Sequence, residues 1–107
     1  MSEVKLMVLY PHPEDVAQFE IDYRDHIQLL HAKMNIPFDA RPYKVIRFAR
    51  TPESRGPYFQ MFEMPFASQE ALQETMNTPQ MQEVGADAVR ISTGGPPVIL
   101  VGREATP

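Results

Sequence analysis

The sequence predicts an α+β fold: a four-stranded antiparallel sheet with its helices gathered on one face. Three observations predict it. Short apolar stretches at residues 4–10, 58–64 and 98–103 read as strands. One long segment, residues 16–34, carries its apolar side chains at helical spacing. The elements then follow the order strand, helix, strand, strand, helix, strand, which is the split βαβ, or ferredoxin-like, arrangement. The 107 residues fit one domain, residues 1–107, with no internal repeat or low-complexity segment.

The first strand, residues 4–10, points Val4, Leu6, Val8 and Tyr10 one way and Lys5, Met7 and Leu9 the other. Pro11-His12-Pro13 stops it, and Pro13 suits the first position of a helix whose positive end Glu14 and Asp15 would favour. An α-helix turns about 100° per residue, so Val16, Phe19, Tyr23, His26, Ile27, Leu30 and Met34 form one buried stripe. Pro37 and Pro42 forbid helix in the loop that follows. Residues 43–50 form a second strand with charges on both faces, as suits an edge. A turn at 51–57 leads to the third strand, residues 58–64, largely apolar on both faces. Ser68 caps a short helix carrying Leu72 and Met76, and Thr78-Pro79 restarts helix through Met81, Val84 and Ala88. Gly94-Gly95-Pro96 breaks it before the last strand, residues 98–103.

Two helical segments can cover only one face of such a sheet. Three of the strands are nonetheless apolar on both faces, and an uncovered apolar face is an interaction surface. The expected solution is a homodimer packed sheet on sheet.

Composition removes several function classes. A net charge of -4 with scattered basic residues argues against nucleic acid as a partner. The absence of Cys excludes disulfides, thiol catalysis and thiolate metal sites. No apolar run spans a membrane and no signal-peptide pattern opens the chain, so a cytoplasmic protein without membrane contact is expected. His12, His26 and His31 have no recognised ligand spacing, so no metal is expected, and no phosphate loop or dinucleotide fingerprint points to a cofactor.

Tyr23 and His26 stand in the middle of the long helix's buried stripe, three residues apart. A phenol and an imidazole there each need a hydrogen-bond partner or a wet cavity. They are either core groups satisfied by the backbone or by each other, or the polar walls of a small apolar pocket between helix and sheet. In the second case His26 is the acid or base, with burial favouring its neutral form, and Tyr23 orients it. Tyr10, His12, Phe19, Leu30, Tyr58 and Phe62 would shape the pocket for a small, largely apolar or aromatic ligand. The seven Met residues read as adaptable core filler.

The stretch Tyr10-Pro11-His12-Pro13-Glu14-Asp15, then Phe19 with Tyr23 and His26, the strand Tyr58-Phe59-Gln60-Met61-Phe62, and the tail Thr78-Pro79-Gln80…Gly85-Ala86-Asp87-Ala88 with Gly94-Gly95 resemble the EthD family, named after ethyl tert-butyl ether degradation. Gln28 stands where the family commonly has proline. The resemblance implies a dimeric α+β barrel and a place in catabolism. Barrels similar to it include cofactor-free monooxygenases, polyketide cyclases, lactone isomerases and haem-handling proteins. It is therefore compatible with a cofactor-free cyclase, isomerase or oxygenase, or with a non-catalytic ligand-binding or accessory protein of a catabolic pathway. Haem binding is disfavoured, because one axial His is a weak signal.

Overall fold

A computed structural model describes residues 3–107. Its elements are β1 (Val4–Pro11), α1 (Val16–Met34), β2 (Lys44–Arg47), β3 (Tyr58–Phe66), α2 (Gln69–Met76), α3 (Pro79–Ile91) and β4 (Val98–Gly102). The four strands form one antiparallel sheet in the order β2-β3-β1-β4. This is the expected ferredoxin-like α+β fold, with the return helix split into α2 and α3.

Local chemistry sets the helix boundaries. Asp15 is the N-cap of α1, its carboxylate accepting the Gln18 amide at 3.1 Å. Pro13 therefore lies before the helix rather than at its first position, because the cap that begins the helix sits two residues later. Asn35 closes α1 in a left-handed conformation, φ 55°, and its N–H donates to the His31 carbonyl. Ser68 caps α2, and Thr78 caps α3 with Pro79 behind it, as their sequence predicts.

The strand register sorts the side chains by face. Tyr10, Val8 and Leu6 oppose Gln60, Phe62 and Met64, and these point toward the helices. With Phe19, Leu30, Leu72, Met81, Val84, Ala88 and Ile91 they make up the core. The other face carries an apolar row that crosses all four strands, Ile46, Met61, Leu9 and Val98. A second row, Lys44, Glu63, Met7 and Leu100, lies beside it. Ile46 and Leu100 are exposed.

Some expectations shift. Val16 is 47% exposed and leaves the buried stripe, because it sits at the helix end. Ile27 and Met34 flank the core half-buried. β2 covers 44–47 rather than 43–50. Tyr43 is instead buried, its ring stacked on Phe62 at 5.3 Å and its hydroxyl donating to His31 Nε2. β3 runs on to Phe66 through Pro65, which lies beyond Glu63, the last residue paired to β2. At such an edge position a missing N–H is tolerated.

Candidate functional site

His26 is buried on the inner face of α1, at the seam with α3. Its Nδ1 donates to Asp87 Oδ2 at 2.8 Å, across 61 residues of chain. The other oxygen, Oδ1, accepts from Arg90 Nε at 2.8 Å, one helical turn further on. A carboxylate only accepts hydrogen bonds, so the neutral imidazole carries its proton on Nδ1. That leaves Nε2 with its lone pair, and among the described residues no group bonds it. A histidine oriented from behind by a carboxylate is the arrangement general bases use.

The electrostatics agree. Burial pushes the His26 pKa below its ordinary 6.5, against the opposing pull of the Asp87 hydrogen bond and charge. The ring is therefore neutral at pH 7. Burial works against the Asp87 charge, but hydrogen bonds from His26 and Arg90 outweigh it and hold the carboxyl below its usual range. Burial raises the Tyr10 hydroxyl far above its usual value, helped by the nearby Tyr23 and Asp87, so Tyr10 stays a protonated donor.

His26 lines a cavity of about 270 Å³ between the helices and the sheet. Leu6, Val8, Tyr10, Phe62 and Met64 form its floor on β1 and β3; Leu30, Met76, Met81, Val84 and Ala88 form its walls. A dry apolar cavity of about 150 Å³ accommodates benzene, so this one has room for a one- or two-ring molecule or a short chain. Among the described residues, Tyr10 and His26 are the only lining residues with side-chain nitrogen or oxygen atoms, and no charged residue lines the cavity.

Of the residues expected at the site, His26, Tyr10, Leu30 and Phe62 meet at this cavity. Tyr23 lies beside it. Its ring stacks on Phe19 at 5.5 Å, meets Tyr10 edge-on at 5.7 Å, and stands 5.9 Å from His26. Tyr23 does not hydrogen-bond the imidazole; that partner is Asp87. The Tyr23 hydroxyl is buried and has no partner. The Gln60 carboxamide faces it; Gln60 Oε1 accepts two bonds from Arg47, at 3.0 and 2.7 Å, which leaves its NH2 as the nearest donor to the Tyr23 oxygen. Phe19 backs this aromatic cluster without lining the cavity. Tyr58 lies half-buried at the start of β3, opposite Pro11 and away from the cavity. His12 donates from Nε2 to the Gly56 carbonyl at 2.9 Å and packs on Phe59, tying the end of β1 to the 51–57 loop.

Asp87 is the candidate site residue that sequence reasoning missed. The available signal was a carboxylate immediately beside the apolar stripe Met81, Val84, Ala88 of a helix that must pack on the same sheet as His26. Three of the methionines read as core filler, Met64, Met76 and Met81, are also cavity walls.

This chain is similar to an EthD family protein from Bacillus halodurans at 30% identity and a TM-score of 0.78, over 96% of this chain and 99% of that one. The chain belongs to the EthD family. Other solved structures share the fold of this EthD-family protein at lower identity. A hydroxynitrile lyase from Passiflora edulis matches at 17% identity and a TM-score of 0.72, over 99% of this chain and 98% of that one. A dimeric ferredoxin-like protein of unknown function from Jannaschia sp. matches at 14% and 0.68, over 92% and 96%. No family model and no curated protein matches the sequence. Among the described residues of this EthD-family chain, no group of three or more His, Asp or Glu could hold a metal ion, and no helix is long and apolar enough to cross a membrane.

Proposed function

We propose that this EthD-family protein binds a small, largely apolar or aromatic molecule in the cavity beside His26 and moves a proton on it, with His26 as the acid or base. One observation carries the reading: the buried imidazole is fixed through Nδ1 by Asp87, its Nε2 has no hydrogen-bond partner among the described residues, and the ring lines an apolar cavity. Positioned general bases contribute roughly 10²–10⁴-fold to rate. Asp87 is the orienting group, and among the described residues Tyr10 is the one side-chain hydroxyl lining that cavity that could donate to a substrate oxygen. Tyr23, Phe19, Leu30 and Phe62 hold these groups in place by packing.

The protein acts as a homodimer formed through the outer face of the sheet. The four-strand apolar row Ile46, Met61, Leu9 and Val98 supports this, as do solved relatives of the fold described as dimeric, from Jannaschia sp., Thermobifida fusca and Bacteroides fragilis. Sedimentation should give a two-chain mass, and Leu100→Asp on that face should give one chain.

A test of the base needs no knowledge of the natural substrate. 5-Nitrobenzisoxazole is flat, uncharged and apolar, and a base that removes its one acidic C–H opens the ring to a coloured phenolate. The wild type should open it with saturable kinetics. His26→Ala should lose that activity, and Asp87→Asn should lose about 10-fold or more as the ring loses its fixed tautomer. Equal rates in wild type and His26→Ala would refute the assignment.

A further inference from the structure

We infer that the cavity takes an uncharged carbonyl compound with an alkyl tail, its oxygen on the Tyr10 hydroxyl, its α-carbon against Nε2 of His26, and its tail leaving between Val89 and Ile99. The inference rests on His26 being the base and goes further by naming the substrate class.

Charge comes first. Among the described residues no Lys, Arg, Asp or Glu lines the cavity, so a carboxylate, phosphate or ammonium would enter without a counter-charge. The ligand is therefore neutral. Polarity comes second. The cavity holds one protonated donor, the Tyr10 hydroxyl on β1, and one unprotonated acceptor, Nε2 of His26 on α1. Among the described residues the one side-chain hydrogen bond of His26 runs through Nδ1, and none involves the Tyr10 hydroxyl. Tyr10 and His26 are anchored on different elements, so they suit a group whose acceptor oxygen and acidic hydrogen sit on neighbouring atoms. A carbonyl with an α-C–H is such a group; an alcohol places both functions on a single oxygen.

Shape comes third. Val89 is 57% exposed and Ile99 51% exposed, yet both line the cavity, so it opens between α3 and β4. Pro96 and Pro97 complete that rim. The mouth is as apolar as the interior, which suits a hydrocarbon tail.

The step balances without a co-reactant. Nε2 takes the α-proton and the imidazole becomes imidazolium. The C–H electron pair forms the C=C bond, and the carbonyl π pair moves to oxygen, where the Tyr10 O–H donates to the enolate. Return of a proton to the same or a conjugated carbon regenerates the base, so the class of reaction is enolisation or isomerisation.

The test is α-deuterium incorporation in D2O, followed by NMR, with the full chain and 2-butanone, 2-hexanone or hexanoate. The two ketones should exchange with saturation, and the half-saturating concentration should fall about four-fold for each added methylene that the mouth buries. Hexanoate should neither exchange nor compete. Tyr10→Phe removes a hydroxyl that no described residue holds, so it should fold as the wild type and slow the saturated exchange about 100-fold. Ile99→Asp should abolish the gain with chain length. Unchanged exchange in Tyr10→Phe, or competition by hexanoate equal to that of 2-hexanone, would overturn the proposal. If 5-nitrobenzisoxazole is opened through His26 but no ketone exchanges, the base stands and the substrate class falls. If neither reacts, both fall.

Discussion

Tyr23→Phe should stabilise this protein. The Tyr23 side chain is 8% exposed, and its hydroxyl is buried without a partner. A buried hydroxyl left unpaired costs about 1–3 kcal/mol in lost hydration. Removing the oxygen also removes its close contacts, each worth about 0.1–0.2 kcal/mol, and leaves a gap smaller than a methyl group. The ring keeps its stack on Phe19 and its edge contacts with Tyr10, because neither depends on the oxygen. The net gain should be about 1 kcal/mol. For a chain of 107 residues this corresponds to a rise in Tm of about 4–8 °C. Urea unfolding at equal protein concentration measures it directly, with concentration held fixed because association contributes to apparent stability. A loss of about 1 kcal/mol or more would refute the reasoning, since it would mean the hydroxyl makes a hydrogen bond, with the Gln60 carboxamide the nearest candidate.

Gly94→Ala should destabilise the fold by more than about 2 kcal/mol, or prevent folding, because a Cβ there would overlap the backbone carbonyl of His12, with no flexible side chain able to give way; a Tm within about 2 °C of wild type would contradict this packing. Acid should destabilise the protein in two stages. The His26 pKa is lower folded than its ordinary 6.5, so as pH falls through about 6.5 the unfolded chain takes up a proton first. Stability then drops by up to about 1.4 kcal/mol per pH unit until folded His26 also titrates. The Asp87 contribution is present above its ordinary 3.8 and is lost as pH falls through its lower folded value. Tm measured across this range in wild type and His26→Gln should differ in slope below pH 6.5, and parallel curves would count against a depressed His26.

The sequence by itself determined what depends on neighbours along the chain. Phe19, Tyr23, His26 and Leu30 share a buried face because helical spacing is a property of the segment. Ser68 and Thr78-Pro79 start their helices because capping is decided within a turn. The edge position of β2 was legible in its mixed charges, and membership of the EthD family in the order of its short motifs. Even local cues fail where two compete, as when Asp15 took the cap and left Pro13 outside the helix.

Only the tertiary structure decided which polar groups meet. Tyr23 is His26's neighbour in sequence and its natural partner on paper, yet Asp87 bonds the imidazole from another helix. No periodicity within one segment encodes that contact, because it depends on how α1 and α3 cross above the sheet. The same crossing leaves the Tyr23 hydroxyl unpaired and opens a cavity whose walls come from β1, β3, β4, α1, α2 and α3 together. A stripe of apolar residues reports that a face is buried. Whether that burial is filled or leaves room for a ligand is settled by the packing of several elements at once.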